Sequence, residues 1–185
     1  MKPRSDDPRK LDVARAAVDG AVLTGRCPLS ALERLADGTV LADDESAVAW
    51  TARFERRPVR GGEPEVWLAL HAQARVWREC QRCLQPVALD LAVDRSLRFV
   101  ADEATAAALD AESEEDVLAM GRRFDLVELV EDELLLALPL VPMHDTCPVP
   151  LGLPEAPSAA DEDAASEAPA RPFAALAALK RRRSS

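Results

Sequence analysis

Two stretches, 65–78 and 86–99, constrain this chain more than anything else in it, because apolar and polar residues alternate through both. In the first, Val66, Leu68, Leu70, Ala72, Ala74 and Val76 fall on one side, and Trp67, His71, Gln73, Arg75 and Trp77 on the other. In the second, Val87, Leu89, Leu91, Val93, Leu97 and Phe99 point one way, and Asp90, Asp94 and Arg98 the other. A period of two held over this length is that of a β-strand with one buried face. Only CQRCLQP separates the stretches, so they most simply form one long antiparallel hairpin. Its apolar face requires a second layer to cover it.

The sequence offers that layer at 125–138, DLVELVEDELLLAL. Asp125 can cap a helix, Glu128 follows three residues on, and Pro139 ends it. Leu126, Val130, Leu134 and Leu138 form a stripe that Leu135 and Leu136 widen, which predicts a largely buried helix. Residues 47–54 read as a further half-buried strand, with Val48, Trp50, Ala52 and Phe54 inward, and Ala21-Val22-Leu23 as another. Ser30 and Glu33 make a capping-box pattern, and Gly38 a stop, for a short helix over 31–36. The expected fold is α+β: an antiparallel sheet of about five strands around the 65–99 hairpin, packed on the Leu-rich helix. Hydrophobic residues make up 48 % of the chain, enough for a core, but aromatics only 4 %, so Ala, Leu and Val must fill it.

One domain is expected over residues 11–147, with a disordered N-terminus at 1–10 and an acidic, solvated loop over 101–120. Residues 148–170, rich in Pro, Ala and acids, read as a disordered linker. Residues 171–185 read as a short basic helix or tail, with Phe173, Leu176 and Leu179 on one side before KRRR at 180–183. The longest apolar run, Leu134 to Met143, is interrupted by Pro139 and Pro142 and is too short to span a bilayer. The charged start, MKPRSDDPRK, lacks the apolar centre of a signal peptide, so a cytoplasmic protein with no membrane contact is expected.

Charge is unevenly spread over the net −10. Residues 53–98 carry nine Arg against six acids, residues 102–170 two Arg against eighteen acids, and residues 171–185 five Lys or Arg with no acid. The net value argues against non-specific nucleic-acid binding, which is largely phosphate neutralisation. Local contacts by the basic middle and the basic end remain open. No glycine-rich phosphate loop, nucleophile elbow or dinucleotide fingerprint is present, so neither an enzyme nor a small-molecule substrate is expected.

One constellation could carry chemistry. Cys80-x-x-Cys83 lies between the two strands, and His144-x-x-Cys147 follows the helix. Thiolates and imidazole are the ligands of tetrahedral zinc, and two close pairs are the usual way to build a closed structural site. Such a zinc would staple the end of the helix to the hairpin tip. The alternatives are the same four residues packed without metal, or a redox pair, although nothing in the sequence would activate a thiol there. Cys27, beside Pro28, reads as a packed thiol, and His71 as a surface histidine. Arg75, Trp77, Arg78 and Arg82, with Trp67, could hold single-stranded RNA by stacking and charge. Alternatively the tryptophans lie under a second layer and the arginines pair with Glu65 and Glu79. Glu128, Glu131, Asp132 and Glu133 read as a solvated face, or as an acidic face for a basic protein.

Together CQRCLQPV, LVELVEDELLLALPLVPMH with its following Cys, and the terminal PFAALAALKRR resemble the large ribosomal RNA subunit accumulation protein family, the YceD-like proteins. The resemblance covers about residues 15 to 183. It implies a non-enzymatic role in synthesis, processing or stability of bacterial 23S rRNA, with that RNA or an early large-subunit particle as partner, directly or through proteins. Cys80, Cys83, His144 and Cys147 match the family's recurring Cys and His positions. The acidity of residues 102–170 suits a different reading, an adaptor or chaperone for a basic ribosomal protein.

Overall fold

A computed structural model of the chain describes residues 7–40, 47–121 and 123–148, all within one compact unit, Met1–Val149. The expected linker after Pro148, the basic tail at 171–185 and the first six residues lie outside the described residues.

The hairpin is its central feature. Strand β3 (Glu65–Glu79) and strand β4 (Pro86–Val100) pair antiparallel along their whole length, with Glu79 opposite Pro86, Arg75 opposite Asp90 and Val66 opposite Phe99. Strand β2 (Ala47–Arg57) pairs with β3, and strand β1 (Val22–Pro28) with β2, also antiparallel. The period-two reading holds: Leu68, Leu70, Ala72, Ala74, Val76, Leu91, Val93, Leu97 and Phe99 are all buried in one core. Helix α4 (Leu126–Leu136) covers that face, burying Leu126, Val127, Val130 and Leu134, and Asp125 accepts a hydrogen bond from the Glu128 N–H at 2.9 Å as its cap.

Three segments differ from the sequence reading. Residues 101–120 are not simply a solvated loop: they hold helix α3 (Glu103–Asp110), capped by Asp102, and strand β5 (Asp116–Ala119). Strand β5 pairs parallel with Leu97–Val100, so the five-stranded sheet, ordered β1-β2-β3-β4-β5, is mixed rather than purely antiparallel. The Ala-and-acid composition hid this, because β5 offers only four residues of pattern. Helix α1 (Val13–Asp19) was not expected either, although Asp12 caps it and Gly20, at φ 58°, ends it. Residues 7–10, expected to be disordered, form a turn whose Pro8 carbonyl accepts from the Leu126 N–H at 2.8 Å.

The third difference concerns the short helix near residue 31. A 3-10 turn, Leu29–Ala31, precedes helix α2 (Glu33–Ala36), and Ser30 does not cap it. Leu29, Leu32 and Leu35 are needed in the core, and their burial sets where the helix begins. The cap comes instead from α4. Glu131 accepts from the backbone N–H groups of Arg34 at 2.7 Å and Leu35 at 3.0 Å, and from the Arg34 guanidinium at 3.1 Å. Glu133 is likewise buried and bound to Arg95, the one charged residue in the inward row of β4, at 3.1 Å. Two of the four acids read as a solvated face are therefore internal struts. Gly25 of β1 faces Trp50 so closely that a Cβ there would overlap the indole ring.

Because Glu131 satisfies two backbone donors, Glu131→Ala should lose more stability than Arg34→Ala, which removes only a half-exposed guanidinium. Urea unfolding should show a loss of about 2 kcal/mol for the first and a clearly smaller loss for the second. Equal losses would show that the ion pair, not the cap, is what matters. Gly25→Ala should also destabilise, by about 1–3 kcal/mol as an overpacking change, with Trp50 fluorescence shifted in the folded protein.

Candidate metal centre at the hairpin tip

Residues 80–85 make the turn between β3 and β4. The Cys80 N–H donates to the Gln85 carbonyl at 2.9 Å, and the Leu84 N–H donates back to the Cys80 carbonyl at 2.8 Å. Closing so tight a loop puts Leu84 at φ 58°, the one non-glycine residue of positive φ among the described residues. Both thiols are thereby turned to the same side. After α4, Pro139 and Pro142 keep the chain from continuing as helix, and it runs extended to the same place. The Gln81 N–H donates to the Pro142 carbonyl at 2.9 Å and registers the two segments.

The meeting point brings Cys80, Cys83, His144 and Cys147 together, one ligand atom of each lying within 4.8 Å of the others. Tetrahedral zinc places two thiolates about 3.8 Å apart, and a thiolate and an imidazole nitrogen about 3.6 Å apart. Cys83 Sγ lies 3.5 Å from His144 Nδ1. The other ring nitrogen, Nε2, lies 3.0 Å from the Pro86 carbonyl, which only accepts, so Nε2 is the donor there and Nδ1 is the nitrogen turned toward the thiols. That is how metal-binding histidines are usually oriented, by a fixed acceptor behind the ring. Three sulfurs and one nitrogen are the donor set of a closed structural site, and the residues present fit zinc. All four cysteines are free thiols.

The electrostatics are uneven across the cluster. Burial pushes the Cys80 thiol up, but hydrogen bonds from the backbone N–H groups of His144, Cys83 and Arg82 outweigh it and bring it to about 5. Burial holds Cys83 above its ordinary value. Arg82 closes the site from outside. Its Nε donates to Cys147 Sγ at 3.0 Å, and Nη2 donates to the His144 carbonyl at 2.6 Å.

The other residues singled out in the sequence are spread apart. Arg75 lies on the uncovered face of the sheet, paired with Asp90 at 2.6 and 3.0 Å. Trp77 lies on that face too, its indole N–H buried without an acceptor among the described residues. Arg78 points to the opposite face, donating to the Leu35 carbonyl and Thr39 hydroxyl at 2.8 Å each, and burial lowers its pKa. Trp67 is buried beneath the Arg57 guanidinium, 4.2 Å from its ring centre, and donates to Glu65. Glu65 also binds Arg98. His71 is exposed beside Asp94, and Cys27 packs against the core. Sequence reasoning missed the Pro86 carbonyl and the clasp by Arg82. The only signal for either was adjacency to the Cys pair, which does not reveal direction.

Comparison with known proteins agrees with this picture. The family described as large ribosomal RNA subunit accumulation protein YceD matches residues 68–180, a span that includes both halves of the metal centre. The large ribosomal RNA subunit accumulation protein YceD of Haemophilus influenzae is 30 % identical over 184 residues, covering 98 % of this chain and 95 % of its own length. No solved structure matches. With more than half of the chain matched by the family, and a relative aligned almost end to end, the chain belongs to the YceD family of large ribosomal RNA subunit accumulation proteins.

Proposed function

We propose that this protein is a non-enzymatic factor of the bacterial cytoplasm that supports synthesis, processing or stability of 23S rRNA, and that zinc held by Cys80, Cys83, His144 and Cys147 fixes its hairpin. The observation that carries the reading is the closed donor set. A catalytic zinc keeps one position open for water or substrate. Here four candidate ligand atoms lie within 4.8 Å of one another, enough to fill a tetrahedron, so the metal's work would be structural. The name of the family and of the Haemophilus influenzae relative supplies the ribosomal context.

RNA contact is assigned to the uncovered face of the sheet. Of the four residues first considered, Arg75 and Trp77 lie on it, while Arg78 and Arg82 are tied into the framework. Arg26 and Arg53 lie on the same face by register and have no ion-pair partner among the described residues. A second reading, an adaptor for a basic ribosomal protein, is favoured by the eighteen acids of residues 102–170.

Two outcomes are expected. Chelation under reducing conditions should release about one zinc per chain and lower the midpoint of thermal unfolding, and added zinc should restore it. Purified chain with no metal would remove the zinc claim. Arg26→Gln, Arg53→Gln and Arg75→Gln together should cut 23S rRNA crosslinking in growing cells about tenfold, since phosphate contacts dominate such affinity. Unchanged crosslinking would exclude this face.

A further inference from the structure

Strand β5 pairs with only the end of β4, so Ala88–Asp94 form an unpaired edge in mid-strand. Its polarity follows from the ladder. Cys80 bonds to Gln85 across the hairpin, and Met120 bonds to the Val100 carbonyl on the far side. The even-numbered residues of β4 therefore turn their backbone groups outward. Ala88, Asp90, Ala92 and Asp94 present N–H and C=O groups beyond the reach of β5 and with no backbone partner among the described residues.

A groove of about 630 Å³ lies along this edge, between Pro86–Leu91 and a wall that includes Pro139, Met143 and Asp145. That wall continues into Leu140 and Val141, both exposed. Asp90 lines the groove and, though bound to Arg75 at 2.6 Å, keeps its side chain 71 % exposed; Asp94, 3.2 Å from His71, follows on the same edge with its side chain 83 % exposed. We infer that this edge receives an extended basic strand from a partner protein, its backbone completing the sheet and its cationic side chains meeting Asp90 and Asp94.

The occupant follows from the chemistry. Backbone pairing supplies affinity in strand addition, and alternate side chains supply specificity. A second copy paired antiparallel in registers centred on Asp90, Ala92 or Asp94 would set aspartate against aspartate, which destabilises a sheet. Phosphate is repelled by the same groups. A strand alternating Lys or Arg with aliphatic residues meets the acidic rim and the apolar wall at once. This inference rests on the adaptor reading, and it stands or falls separately from RNA contact.

The test uses the full-length protein and a synthetic peptide alternating lysine and valine, with a glutamate–valine peptide and a single-stranded RNA as comparisons. Fluorescence anisotropy should show binding of the lysine peptide and not of the glutamate peptide, and a saturating amount of the RNA should leave the lysine peptide bound. Amide exchange at Ala88, Asp90, Ala92 and Asp94 should slow about tenfold on binding. Ala92→Pro removes only an outward N–H, and it should weaken the peptide at least about tenfold, as should Asp94→Lys. Crosslinking to 23S rRNA should be untouched in Ala92→Pro, which changes no charge. No binding, no protection, protection by the RNA, or undiminished binding in both variants would overturn the inference. Self-association lost in Ala92→Pro would overturn it too, assigning the edge to a second copy.

Discussion

Two fifteen-residue strands joined by a six-residue turn have nothing of their own to hold the far end in place. Twist accumulates along such a ribbon, and the tip, Gln81 to Gln85, has few apolar side chains to bury. The contact between that tip and the segment after α4 is what the rest of the structure depends on. It joins positions about sixty residues apart through Gln81 to Pro142, Arg82 to His144 and Cys147, and His144 to Pro86. With both ends of the hairpin fixed, α4 is held at a set angle over Leu68, Leu70 and Leu97, and the core closes.

Charge is used in the same economical way. Part of the acidity is spent inside, where Glu131 caps α2 and Glu133 receives Arg95, and at the surface Asp90 holds the Arg75 side chain and has its own pKa lowered by it. What is left over is segregated. Arg26 and Arg53 look out from the β1–β2 side of the sheet, while Asp94 and the acids of α3 and the following turn lie toward β4 and β5. One molecule thereby offers a cationic face and an anionic edge, which suits a factor that meets both rRNA and the basic proteins bound to it.

The hairpin, β2 and α4 were legible because each carries its period over many residues and ends on recognisable signals, such as Asp125 and Pro139. The Cys and His pairs were legible from their spacing, and the structure brings all four together. What escaped were features decided by distant partners. The N-cap of α2 comes from a residue ninety-seven positions away, so the Ser30 pattern pointed to the wrong cap. Strand β5 is parallel because α3 carries the chain back along the sheet, and no local pattern encodes that return. Arg78 and Arg82 look like ligand-binding arginines in a basic strand, yet one faces a helix end and the other a thiol. Alternation carried on to Arg78 would have set it on the side of Val76, but it does not reach Arg82 in the turn, and it names no acceptor for either.

The central claim is that the two pairs close one zinc site at the hairpin tip. X-ray absorption at the zinc edge of the purified full-length protein tests it most directly. The account predicts three sulfur neighbours at about 2.3 Å and one nitrogen at about 2.0–2.1 Å, with one sulfur replaced by oxygen in Cys147→Ser. A shell of oxygens alone, or a sulfur count unchanged in that variant, would contradict it.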